Sequence, residues 1–142
     1  VYGDGLQIRD WLHVEDNARG ILAALEKGKS GEVYNLGGGN ERPNLEVAKS
    51  ILKQLGKPES LLAYVKDRPG HDRRYALDSS KARKALGWTP KVAFAAGLRA
   101  TVGWYRDNAE WTERVKSGAS REEGPSLWTS SKETTPVIRR PR

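Results

Sequence analysis

Glu32-Val33-Tyr34-Asn35-Leu36-Gly37-Gly38-Gly39 is the stretch that decides the fold. Five residues with β-branched and aromatic content run into a triple glycine, which predicts a short strand ended by a turn. On its N-terminal side, Ala18, Ile21, Leu22 and Leu25 recur at helical spacing. They predict a helix of about three turns with Asp16 as N-cap, ended by Gly28 and Gly31. On its C-terminal side, Pro43 precedes a second helix that starts near Asn44. Its stripe is Leu45, Ala48, Ile51, Leu52 and Leu55, and Gly56 closes it. A helix–strand–helix order makes the class α/β.

Further along, Leu61 to Val65 predicts a second strand, and 66–75 a polar loop. A third helix is expected over about 79–86, capped by Asp78 and stopped by Gly87. Pro90 separates it from a fourth, in which Phe94, Leu98, Thr101, Val102 and Tyr105 share a face. The opening residues, 1–12, read as a turn and a short extended piece. After Trp111 the pattern fails. The expected organisation is a folded portion over 1–112 and a basic, disordered tail over 113–142. Helices outnumber strands, and two strands are few for a self-contained sheet. With no Met anywhere and a turn-like opening, the chain reads as a piece of a longer protein.

The densest chemical signal is Asp67-Arg68-Pro69-Gly70-His71-Asp72-Arg73-Arg74-Tyr75. Pro69-Gly70 suits the centre of a type II turn, because proline presets φ and glycine accepts a positive one. The turn would hold Arg68 and His71 at its shoulders. A guanidinium presents a planar fork of donors that matches phosphate oxygens in pairs. Three arginines and a histidine within seven residues therefore suit a diphosphate; the competing reading is a solvated charged loop. Arg9 is a second candidate anion clamp, the alternative being a surface ion pair with Asp10 or Glu15. Asn44 is first of all an N-cap, and its amide could also face a ligand at the helix start. Gly37-Gly38-Gly39-Asn40 fits neither GxGxxG nor GxxxxGK[ST], so it is read as a strand-ending turn. His13 is assigned no chemistry. YxxxK, GxSxG and a placed carboxylate pair are all absent from the sequence, so no residue is proposed as catalytic.

Composition narrows the partners. The net charge is +7. Seven basic and four acidic residues lie in 113–142, which leaves +4 for 1–112. Such a balance suits a nucleic-acid surface or a diphosphate pocket. Trp88, Trp104 and Tyr105 lie among apolar residues rather than between lysines and arginines, which argues against a base-stacking platform. No apolar run reaches the length of a membrane span. There is no cysteine and only two histidines, so no metal site is expected. The absence of cysteine also fits a cytoplasmic protein.

Four segments in order, VYGDGLQIRDWLHVEDNARG, GEVYNLGGGNERPNLEV, DRPGHDRRYALD and LGWTPKVAFAAGLRATVGWY, resemble the C-terminal third of the dTDP-glucose 4,6-dehydratases. These belong to the extended short-chain dehydrogenase/reductase family. RDWLHVED and LGWTP are shared by many nucleotide-sugar epimerases and dehydratases, whereas DRPGHDRRY is more specific to the 4,6-dehydratases. The resemblance implies the substrate-binding part of a Rossmann-type enzyme, mostly helices with a few short strands, in which 32–36 joins the edge of the Rossmann sheet. It implies that Arg9 and Arg68 bind the diphosphate of dTDP-glucose, that Asn44 contacts its nucleotide, and that His71 lies beside Arg68. It implies NAD, held by a domain outside these residues, and a homodimer of the whole enzyme. The alternatives are another nucleotide-sugar epimerase or dehydratase, and a stand-alone anion- or nucleic-acid-binding module.

Overall fold

A computed structural model describes residues 1–118 of the chain. It falls into two units, 1–107 and one that begins at Asn108. In chain order the first unit holds β1 (Ile8–Asp10), α1 (Val14–Lys27), β2 (Glu41–Pro43), α2 (Asn44–Gln54), a 3-10 turn (Glu59–Leu61), α3 (Ser80–Leu86) and α4 (Phe94–Asp107). α5 (Ala109–Ser117) belongs to the second. β1 and β2 pair antiparallel, with Arg9 opposite Arg42. On the other edge of β1, the Ile8 N–H donates to Arg73 O at 2.8 Å and the Tyr75 N–H to Ile8 O at 3.0 Å. The polar loop is thereby zipped to β1 over 73–75.

The strand expected over 32–36 is not seen: those residues have no regular secondary structure and pair with no strand among the described residues. A strand is a pairing as much as a conformation. Here the segment is held by side chains instead. The Lys29 N–H donates to the Tyr34 hydroxyl at 3.1 Å, and the Gly37 N–H to Ser79 Oγ at 2.7 Å. The strand expected over 61–65 shrinks to one parallel bridge, Tyr2 with Val65, anchored by Val65 N–H to Val1 O at 2.8 Å. The β2 strand falls at 41–43, where the sequence suggested only a turn before a helix.

Helix starts shift by one to three residues. His13, not Asp16, is the N-cap of α1, its Nδ1 accepting from the Glu15 N–H at 3.4 Å. Pro43 precedes α2 and Asn44 is its first helical residue, so Asn44 does not cap. Ser79 takes the N-cap position of α3 without a side-chain cap bond, and Asp78 accepts from the Ser80 N–H at 2.8 Å. α5 replaces the start of the expected tail: residues 113–117 are helical, and the rest of the tail, from 119 on, lies outside the described residues.

The core lies between α1 and α3. Ala82, Leu86 and Trp88 are buried, with Leu12, Ala23, Ala24, Tyr34 and Leu36 packed around them. Asp16 is the polar joint of this core and is fully buried. Its carboxylate accepts from the Lys91 N–H at 2.9 Å and the Val92 N–H at 2.8 Å, and it pairs with Arg19. Its backbone carbonyl accepts from Trp88 Nε1 at 2.9 Å. In α2 the buried residue is Val47, off the expected stripe. Of the expected α1 face, Ile21, Leu22 and Leu25 remain exposed.

Candidate functional site

β1 is the spine of the site, and the loop 67–75 is laid against it. Two of the three loop arginines are spent on attaching it. Arg73 Nη1 contacts both carboxylate oxygens of Asp4, at 2.8 and 3.0 Å. Arg74 makes a two-point contact with Glu41 on β2, at 2.7 and 2.8 Å. A turn does form at Pro69-Gly70, with Gly70 at φ +67°, a value glycine accepts without a Cβ clash.

Arg68 differs from its two neighbours. Its backbone N–H donates to Asp67 Oδ1 at 2.9 Å, while its exposed guanidinium has no carboxylate partner among the described residues. Arg9 is alike in this respect. It pairs with neither Asp10 nor Glu15; it donates to Ile8 O at 2.7 Å and stacks over the Tyr75 ring, 4.4 Å from its centroid. The Tyr75 phenol is pushed above its ordinary value by its hydrogen bond to Asp72, by that carboxylate's charge and by desolvation. The charges of Arg9 and Arg68 act on the phenol in the opposite sense. Both guanidinium groups therefore lie within electrostatic reach of one phenol, though 58 positions of sequence separate them in the chain shown.

His71 is tied to the loop from within. Its side chain is only 6% exposed, with Nδ1 2.6 Å from Asp67 Oδ1 and its ring edge-on to Tyr2. The Asp67 carboxyl is held below its ordinary range chiefly by that contact, with the Arg68 N–H assisting against desolvation. Asn44 joins the group through the backbone: its N–H donates to Gln7 O at 3.0 Å, and the next, of Leu45, to Gly5 O at 2.9 Å. Those two donors at the start of α2 are thus used inside the chain. The residues that sequence reasoning missed are Asp4 and Glu41, which anchor the loop, and Gln7. Alternating charge in 67–75 was the one available signal for such anchors, and it did not name the partners.

The triple glycine is not a dinucleotide cradle. A Cβ on Gly37 would lie 2.5 Å from Asp10 Oδ2, and one on Gly38 would lie 2.2 Å from Trp11 O. These glycines let the chain approach itself, and the space a pyrophosphate would need is filled by residues 10 and 11. Among the described residues there is no cluster of three or more groups that could hold a metal ion, and no helix is long and apolar enough to cross a membrane.

Comparison with known proteins agrees with this frame. A dTDP-glucose 4,6-dehydratase of Neisseria meningitidis is 51% identical over 134 residues, which cover 87% of this chain and 38% of that protein. A solved dTDP-glucose 4,6-dehydratase of Streptomyces venezuelae, crystallised with NAD, superimposes with a TM-score of 0.75 at 47% identity, covering 78% of this chain and 34% of its own. A UDP-glucose 4-epimerase of Thermotoga maritima, solved with UDP-glucose, gives 0.71 at 36% identity over 77% of this chain and 35% of its own. The chain thus spans little more than a third of the length of the curated relatives it matches. The family model described as GDP-mannose 4,6 dehydratase matches residues 1–101. The likeness carried by the four segments and the α/β architecture accord with these relatives, and the chain belongs to the GDP-mannose 4,6 dehydratase family.

Proposed function

We propose that this chain is the sugar-nucleotide-binding portion of a dTDP-glucose 4,6-dehydratase, with Arg9 and Arg68 as the clamp on the diphosphate. The single observation that carries the reading is electrostatic. Arg9 stacks over Tyr75 and the charge of Arg68 acts on the same phenol; neither has a carboxylate partner among the described residues, while Arg73 and Arg74 are neutralised in place. Two forks whose charges act on one phenol would suit a dianionic group, since charge-assisted contacts to phosphate are the stronger kind. His71 lies beside Arg68, with Nε2 as its nitrogen not tied to Asp67, and Asn44 contacts the nucleotide from the first turn of α2.

The whole protein would convert dTDP-glucose to dTDP-4-keto-6-deoxyglucose by oxidation at C4, loss of water across C5 and C6, and reduction at C6. NAD supplies the hydride acceptor and donor for that sequence when bound; we read its site and the acid–base groups as belonging to a part of the protein outside this chain. This portion's task is to bind and orient the substrate. We read the whole protein as a cytoplasmic homodimer that takes dTDP-glucose rather than nucleic acid as its partner.

The test is incubation of the full-length protein with dTDP-glucose, followed by alkali, in which the 4-keto product absorbs. Recovery of an epimerised sugar nucleotide instead would favour a 4-epimerase, the reading that the likeness to the Thermotoga enzyme supports at lower identity. For the clamp, Arg68→Ala in the full-length protein should raise KM for dTDP-glucose. A hydrogen bond to a charged group is worth about 1.5–3 kcal/mol, or roughly a 10- to 150-fold change. An unchanged KM would remove Arg68 from the clamp.

A further inference from the structure

One buried polar side chain next to the loop has no part in the clamp as described. Gln7 is only 2% exposed and precedes β1. Its Nε2 donates to Asp67 Oδ2 at 2.9 Å, while its Oε1 is buried without a hydrogen-bond partner. A carboxylate only accepts, so the amide can face Asp67 in one orientation alone. The other oxygen of Asp67 takes the Arg68 N–H at 2.9 Å and faces His71 Nδ1 at 2.6 Å. Asp67 is thus the point where the interior of the fold meets the two shoulders of the turn, and Gln7 is its interior ligand.

We infer that Gln7 is a positioning residue for the sugar-nucleotide site: acting through Asp67, it sets the His71 imidazole and the Arg68 backbone against the bound diphosphate. The inference rests on the clamp reading above. Its physical content is a relay of fixed geometry. With Asp67 on Nδ1, Nε2 is the nitrogen not tied to the carboxylate, and the ring donates from it to an anion when both nitrogens carry protons. Without the Gln7 donor, Asp67 can rotate, and both the ring and the turn lose their common anchor. The cost should appear in the binding of an anion at the turn, not in chemistry elsewhere. Burying a glutamine with one unmatched oxygen is unfavourable for folding alone. Such a cost is understandable where the side chain organises a site.

The test is kinetic, in the full-length protein. Gln7→Met preserves bulk and removes the donor. It should raise KM for dTDP-glucose on the order of tenfold, with kcat within about twofold, the scale of one hydrogen bond to a charged group. Asp67→Asn should raise KM by as much or more. The double variant should be no worse than Asp67→Asn alone, because Gln7 acts only through Asp67. Additive KM effects, an unchanged KM, or a kcat loss that matches the KM change would overturn the inference. If Gln7→Met does not fold, Gln7→Leu carries the same comparison, since it too removes the donor without adding a charge. Loss of folded protein in both would also overturn it, by making Gln7 a structural residue only. Arg68→Ala separates the two readings. If it raises KM while Gln7→Met does not, only this inference falls. If Arg68→Ala leaves KM unchanged, the clamp falls and this inference with it.

Discussion

Single residues in this chain divide by whether their charge is already matched. Arg73 and Arg74 have carboxylates at hydrogen-bond distance, and Arg9 and Arg68 do not among the described residues. Sequence composition treats all four alike. Asp16 shows the same principle in the core. Burial alone would push its carboxyl up, yet the N–H groups of Lys91 and Val92 and the charge of Arg19 outweigh that and hold it below its ordinary 3.8. Because the folded value is lowered, the stabilisation is fully present above the unfolded value and is lost as pH falls through the folded one. Asp16→Ala would leave two backbone donors of the 88–92 segment unmatched. At about 1–3 kcal/mol for each, the whole protein should lose roughly 2–6 kcal/mol, read from its urea midpoint at neutral pH. The difference from the unaltered protein should narrow in acid below pH 4; a gap that persists there would contradict the role given to the carboxylate.

At the scale of elements, side-chain anchors replace strand pairing. The 32–38 segment is joined to α3 through Ser79 and to residues 10 and 11 through its glycines. Gly38 and Gly39 separate two reasons for glycine. At Gly38 a Cβ would meet a carbonyl oxygen of the main chain, which cannot step aside. At Gly39 the space is open, with φ +64° the sole constraint. Gly38→Ala should therefore lower the thermal midpoint well beyond Gly39→Asn, since asparagine tolerates the left-handed region. Equal midpoints for the two would mean that the segment can draw back from Trp11. Periodicity found α1 to α4 to within a few residues, and it failed for α5. The helix begins where the apolar interval gives way to Glu110, Glu113, Arg114 and Lys116, so polarity was taken for disorder.

The described residues bury little for their number. Among the described residues the buried apolar side chains are Val47, Ala82, Leu86 and Trp88, whereas Ile21, Leu22, Leu25 and Val33 are exposed, Leu25 by 82%. Small apolar cores leave little margin over conformational entropy. Trp88→Ala, which removes the largest of the buried four and its hydrogen bond to Asp16 O, should cost about 3–5 kcal/mol. Expressed by itself, the 142-residue chain should bind a hydrophobic dye and melt over a broad range. A sharp, dye-free transition would show that the exposed faces are harmless.

From the residues alone came the α/β class, the first four helices, the turn at Pro69-Gly70, and Arg9, Asn44, Arg68 and His71 as candidates. These follow from local chemistry: the 3.6-residue interval, the backbone freedom of glycine, and the donor geometry of guanidinium. The assignment of 32–36 and 61–65 as strands was not decided there, because a strand needs a neighbour and periodicity cannot supply one. Nor could sequence say which arginines are free of carboxylates, that Pro43 and His13 rather than Asn44 and Asp16 precede their helices, or that Gln7 reaches Asp67. The arginine pairings, the Gln7–Asp67 contact and the capture of the Asp16 carboxylate by the Lys91 and Val92 N–H groups join residues distant in sequence within about 3 Å, and only the packed chain fixes those distances.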